Sequence, residues 1–311
     1  MTALAMAWMV LAAYLPVSVR IAVTPAESLS VSITGDGVPV ALIPGLFGGA
    51  FTFRKLVQPM VADGYRPIVI EPLGMGASSR PAGADYSLTA QSDRIAAVLD
   101  SLKTGPVIVL AHSLGGSVAF RLAYRHPELV RGIVAIEGGP TEEATTAEFR
   151  HAMRYAFLIK LIHGVGIIRG KVHGALRDAS GDTTWITPDV VRDYTADAAR
   201  DLGGTLRVYQ AIAHAREPDS LAPHLTQIGC PVRLVIGTAQ HDGDVSHDEI
   251  QLLSQRLTSF AVDSVPGAGH YIQEERPDAV VASLNRLRQT LDTLGVGVSQ
   301  KEGGGADRPR R

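Results

Sequence analysis

The stretch Val107 to Val118 reads Val-Ile-Val-Leu-Ala-His-Ser-Leu-Gly-Gly-Ser-Val, and it constrains the fold more than any other part of the chain. An apolar, β-branched run ends at a small residue, and two glycines then open a segment with apolar residues at Val118 and Leu122. The pattern is that of a strand, a sharp turn and a helix, and the turn residue is Ser113. A serine on so tight a turn is held in a sparsely populated backbone conformation, at a cost of roughly 1–3 kcal/mol, and needs small residues two positions away on either side. Ala111 and Gly115 meet that need. Such a turn lifts the serine oxygen off the sheet edge and aims the first N–H groups of the helix at one spot, where negative charge on an oxygen is stabilised.

The rest of the chain supplies the partners this unit requires. Leu29 to Thr34 and Val38 to Ile43, joined by Gly35-Asp36-Gly37, read as a hairpin. Apolar runs follow at Arg66–Glu71, Val130–Ile136, Pro231–Ile236 and Phe260–Val265. Ser87 is placed to cap a helix whose apolar face is Ile95, Val98, Leu99 and Leu102. Strands alternating with helices imply right-handed crossovers and a mostly parallel, doubly wound α/β sheet. Between Thr141 and Pro223 the signals turn helical: Phe149, Met153, Tyr155, Phe157 and Ile159, then a helix start at Thr187-Pro188-Asp189. Ser246 and Glu249 form a capping box. A closing helix carries Val280, Leu284, Leu287, Leu291 and Leu294 and stops at Gly295. These signals divide the chain into an apolar segment (1–20), a core (21–140 and 224–295), a helical insertion (141–223) and a Gly-rich, charged tail (296–311) expected to be disordered.

With a formal charge of −2, the chain lacks the basic surface that nucleic acid demands. The single cysteine, Cys230, excludes an intramolecular disulfide. Met1 to Val19 carries no charged side chain. Residues 1–20 therefore read as a signal, a membrane anchor or an extension, with export or membrane contact ranked ahead of a cytoplasmic location. Nothing in the sequence fixes an oligomeric state.

The Ala-His-Ser-Leu-Gly turn resembles the Gly-x-Ser-x-Gly nucleophile elbow of the α/β-hydrolases, with Ala111 at the first small position. That resemblance implies a helical cap between the sixth and seventh strands, which matches the insertion. It also implies an oxyanion loop after the strand ending at Ile43, read here as Pro44-Gly45-Leu46-Phe47-Gly48-Gly49 with Pro44 where the family usually has His. The backbone N–H groups of Leu46 and Leu114 would then hold the oxyanion. The run Glu71-Pro72-Leu73-Gly74-Met75-Gly76-Ala77-Ser78 looks like a structural turn of the same family and is assigned no chemistry. Of ten histidines, only His270 lies in a Gly-rich loop after the last strand and before the terminal helix, where the family places its base in the order Ser, acid, His. His112 beside the nucleophile reads as structural.

The acid stays open between two residues. The common position, three residues beyond Gly237, holds Gln240, which cannot balance an imidazolium. Asp242 fits a loop two residues longer, and Glu137 fits members that carry the acid after the sixth strand, as haloalkane dehalogenases and some lipases do. Glu137 is placed slightly ahead, with Asp244 a distant third. The cluster His241, Asp242, Asp244, His247 and Asp248 has no zinc or calcium spacing, and no cofactor or metal is expected. The reading is a serine esterase or lipase-like hydrolase acting on a small lipophilic acyl substrate. The alternatives are a small-molecule-binding member of the same fold, or a perhydrolase, C–C hydrolase or acyltransferase variant.

Overall fold

The computed structural model describes residues 15–154 and 165–295. The apolar segment 1–14, the positions of Tyr155, Phe157 and Ile159, and the tail 296–311 lie outside the described residues. Eight strands form one sheet: β1 (Val17–Ala22), β2 (Ser28–Ile33), β3 (Val38–Ile43), β4 (Tyr65–Glu71), β5 (Val107–His112), β6 (Val130–Ile136), β7 (Val232–Gly237) and β8 (Phe260–Val265). Their order is β1-β2-β4-β3-β5-β6-β7-β8. The pairs β1/β2 and β2/β4 are antiparallel and every other pair is parallel.

Period-two alternation in the central strands splits the core into two layers. Val107, Val109 and Ala111 of β5 face a cluster with Ile95 and Leu99 of α2 (Leu88–Leu102) and Val118 and Leu122 of α3 (Leu114–Arg125). Ile108 and Leu110 face the opposite cluster, with Leu56 and Met60 of α1 (Arg54–Ala62) and Leu284, Leu287 and Leu291 of the long C-terminal helix Pro277–Thr293. β4 lies on one side of β3 and β5 on the other, so the carboxyl ends of β3 and β5 flank a topological switch point, the crevice where open α/β sheets bind ligands.

The expected hairpin does not form. β2 pairs with β1 and β4, and β4 separates it from β3. Gly35-Asp36-Gly37 carries the chain across the start of β4 instead: Thr34 N–H donates to Pro67 O at 3.1 Å and Val38 N–H to Gly64 O at 2.9 Å. A Cβ on Gly37 would stand 2.1 Å from Gly64 O, so the backbone approach requires glycine there. The edge strand β1 had no counterpart in the sequence reading, and it begins inside the apolar stretch, at Val17. Among the described residues no helix is long and apolar enough to cross a membrane.

Between β6 and β7 the chain forms five described helices: α4 (Ala147–Met153), α5 (Val165–Asp178), α6 (Pro188–Tyr194), α7 (Ala196–Arg200) and α8 (Leu202–His214). Thr187 caps α6 by accepting from Val190 N–H, as its sequence signal implied. Both ends of this segment are tied to Arg121, a fully buried residue of α3. Its guanidinium donates to Thr141 O at 3.2 Å and to Glu142 at 3.3 Å, and stands 3.3 Å from Glu217. Glu217 in turn accepts the N–H groups of Leu88 and Thr89 at the start of α2, and Glu142 those of Leu221 and Ala222. Replacing Arg121 by leucine leaves these carboxylates without their cation and is expected to lower stability by about 3–5 kcal/mol, measured by urea unfolding.

Candidate active site

After β5 the parallel ladder extends one residue further, with Ser113 N–H donating to Ile136 O at 2.8 Å. Ser113 then turns at φ 53°, ψ −123° and starts α3. Glu137 leaves β6 in the same way, with its N–H on Val235 O at 2.9 Å. Four described non-glycine residues have positive φ: Phe47 (65°), Lys103 (51°), Ser113 (53°) and Glu137 (43°). Lys103 simply ends α2 in the left-handed conformation. The other three line a single cavity of about 780 Å³, together with Leu46, Leu114 and His270. Backbone strain that clusters on one cavity is a functional signature.

The small residues of the elbow have a steric cause. A Cβ on Gly115 would lie 2.5 Å from Ile43 O and 2.9 Å from Pro44 O, because the first turn of α3 packs against the loop after β3. That contact holds Leu46 beside the elbow. Gly115→Ala is expected to push the loop off the helix at a cost of roughly 1–3 kcal/mol, seen as a lower Tm together with slower turnover.

His270 follows β8 on Gly267-Ala268-Gly269 and is fixed by its backbone. Its N–H donates to Ala179 O at 2.8 Å, just past α5, and its carbonyl lies 3.0 Å from His112 Nε2. Glu275, in the helical turn α9 (Ile272–Glu275), accepts from Gly269 N–H and Asp182 N–H and so binds the same loop to the segment between β6 and β7. Burial holds the His270 imidazole well below its ordinary pKa, and the neighbouring His112 and His241 rings add to the effect. His112 is itself buried and pushed down to about 4 by desolvation. A neutral His112 that hydrogen-bonds the His270 carbonyl fits the structural role its sequence position implied.

The two candidate acids part company here. Glu137 is buried, one oxygen accepts the Gly237 N–H, the other lies 3.6 Å from His241 Nε2, and one donor atom each of Glu137, His241 and His270 falls within a group spanning 4.8 Å. Burial raises its pKa to about 6, against the lowering influence of the Gly237 N–H and of His241. Asp242 is exposed at the cavity mouth and its carboxylate has no hydrogen bond among the described residues. Asp244 is exposed as well. The loop cluster therefore scatters: Asp242, Asp244, His247 and Asp248 face solvent, and only the His241 side chain turns inward, 1% exposed and 3.6 Å from Glu137. The run of polar neighbours around His241 gave no sign of this burial. Ser246 and Glu249 form the expected capping box at the start of the helix His247–Arg256.

Strand order, elbow and crevice are those of a known class of enzymes. Residues 40–283 match the model of the alpha/beta hydrolase family, and the chain belongs to that family. Several of its relatives and fold neighbours carry hydrolase names. It is 32% identical over 151 residues to 2-hydroxymuconate semialdehyde hydrolase of Pseudomonas sp. (strain CF600), a match to 47% of this chain and 53% of that one. It is 24% identical over 260 residues to 2-(acetamidomethylene)succinate hydrolase of Mesorhizobium japonicum, covering 84% of this chain and 91% of the relative. The solved structure of a thermophilic esterase from Thermogutta terrifontis shares the fold with a TM-score of 0.71 at 20% identity, over 89% of this chain and 99% of the esterase.

Proposed function

We propose that this protein is a serine hydrolase of uncharged carboxylic esters or related acyl compounds. Ser113 Oγ attacks the acyl carbon, and His270 Nε2 takes its proton and passes it to the leaving alcohol. Glu137 holds the His270 tautomer that carries its proton on Nδ1 and balances the imidazolium. The N–H groups of Leu46 and Leu114 receive the oxyanion, and water then releases the acyl group by the same path in reverse. The observation that supports this reading most is a strained Ser113 sharing one cavity with a half-buried His270 and a buried Glu137. A base must be neutral to act, and the depressed pKa of His270 keeps it so at neutral pH.

The cavity walls favour an apolar acyl group. Phe47 stacks edge-on against Phe149 at 5.5 Å and Tyr209 at 4.8 Å. The mouth carries Asp178, Asp242 and Asp244, and Lys171 is the one lysine or arginine among the described lining residues. A dicarboxylate such as the substituted succinate named for the Mesorhizobium relative would meet repulsion there. A fluorophosphonate probe is expected to label the wild-type protein and to fail on Ser113→Ala and His270→Ala. p-Nitrophenyl esters of increasing chain length would be cleaved faster than their ω-carboxylated counterparts. A folded wild-type chain that does not label overturns the hydrolase reading in favour of a binding protein of the same fold.

A further inference from the structure

Three buried side-chain atoms, two from residues lining the cavity and one from His241 behind them, lack a well-formed hydrogen bond: Glu137 Oε2, His270 Nδ1 and His241 Nε2. Their residues come from three separate elements, the end of β6 and the loops after β7 and β8, and one donor atom from each lies within 4.8 Å of the others. The proposed reaction uses two of them, through a hydrogen bond from His270 to Glu137. It has no use for His241. His241 Nδ1 lies 2.7 Å from Ala239 O, so Nδ1 is the nitrogen that bears hydrogen. In the neutral ring Nε2 then presents a bare lone pair to a carboxylate oxygen 3.6 Å away. Two acceptors then face each other, and either a proton or a metal ion between them would satisfy both.

We propose that Glu137, His241 and His270 form an inhibitory site for a divalent transition-metal ion of the Zn²⁺ type. Two imidazoles and one carboxylate suit Zn²⁺ over Mg²⁺ or Ca²⁺, which take all-oxygen sets. Ligand bonds of about 2.0–2.2 Å put neighbouring donors roughly 3.3 Å apart, close to the Glu137–His241 spacing. The longer separations close by rotation of the His270 side chain on its fixed backbone. Outer partners are in place: Ala239 O sets the His241 tautomer, and Gly237 N–H holds the other Glu137 oxygen. Glu137 and His270 both line the open cavity, which gives the ion a way in and leaves a coordination position for water.

The consequence follows from the tautomer of His270. A metal on Nδ1 takes the lone pair there and moves the ring proton to Nε2, which can then no longer accept the Ser113 proton. Metal occupancy at Nδ1 and base function at Nε2 exclude each other within one ring. The inhibition rests on the hydrolase reading, whereas the binding does not.

Calorimetric titration of the full chain with Zn²⁺, paired with visible absorption of the Co²⁺ form, tests the site. Wild type and Ser113→Ala are expected to bind one equivalent alike, and His241→Gln and His241→Asn to bind at least tenfold more weakly while their circular dichroism stays native. Zn²⁺ should slow fluorophosphonate labelling of wild type, reversibly with EDTA, and leave labelling of His241→Gln at its metal-free rate. No binding by wild type, or binding undiminished in both His241 variants, overturns the site and leaves His241 as a structural neighbour of Glu137. A chain that binds Zn²⁺ in this pattern but never labels keeps the metal site and loses the hydrolase.

Discussion

Replacing Ser113 by alanine is expected to lower ester turnover by roughly 10⁴- to 10⁶-fold, leaving the part of the acceleration that oxyanion binding and substrate positioning supply alone. The loss belongs in kcat, because alanine keeps the elbow backbone and the cavity walls that set binding. Stability separates this from misfolding. Alanine retains a Cβ and so retains the strain of φ 53° at position 113, and Ser113→Ala should unfold within about 0.5 kcal/mol of wild type. Ser113→Gly removes the Cβ and should be more stable than the alanine variant by about 1 kcal/mol while equally inactive. Paired urea titrations and p-nitrophenyl ester assays on the two variants measure both effects. Equal stability of alanine and glycine would mean that the elbow is unstrained in solution. Activity retained by either would remove Ser113 as the nucleophile.

What could be read from the sequence is what local chain geometry encodes. Ser113 announces itself because the elbow needs small residues at fixed offsets, and the packing of Gly115 against Ile43 O shows why. His270 is legible from chain order alone, since only one histidine stands between the last strand and the last helix. The proposed acid was not, because the choice between Glu137 and Asp242 depends on which side chain turns inward at a strand end. At Glu137 that is decided by a backbone at φ 43° and an N–H from β7, a strand almost 100 residues away. Arg121 reads as an ordinary polar position of a helix, and its burial depends on Glu142 and Glu217 arriving from either end of the segment between β6 and β7. The false hairpin has the same origin. Gly35-Asp36-Gly37 looks like a tight turn, and only the long-range insertion of β4 makes it a crossing.

Glu137→Gln and Asp242→Asn should separate the two acids by their opposite effects. The first is expected to lower kcat about 10³- to 10⁴-fold, because an amide cannot balance the imidazolium, and the second to stay within about twofold of wild type. Glutamine still offers an oxygen to the Gly237 N–H, so the fold has no reason to open. The pH profile carries the same assignment. Burial holds the His270 pKa well below its usual value, so the acid limb of wild-type activity belongs to Glu137, whose pKa is raised to about 6. Activity should fall as pH drops through about 6 and the carboxylate takes up a proton. Stability runs the other way. Between pH 4.5, the ordinary value, and about 6 the folded protein holds this proton and the unfolded chain has lost it. Folding therefore weakens as pH rises through that window, and the ionised, buried Glu137 is a standing cost at neutral pH. Glu137→Gln removes that cost, so at pH 7.5 it should be more stable than wild type by about 1–2 kcal/mol, with the gain gone below pH 4.5. A variant that loses turnover yet melts higher, in that pH range only, identifies a carboxylate kept ionised for chemistry. A loss of stability at pH 7.5 would instead make Glu137 a structural ion-pair partner and return the acid's role to Asp242.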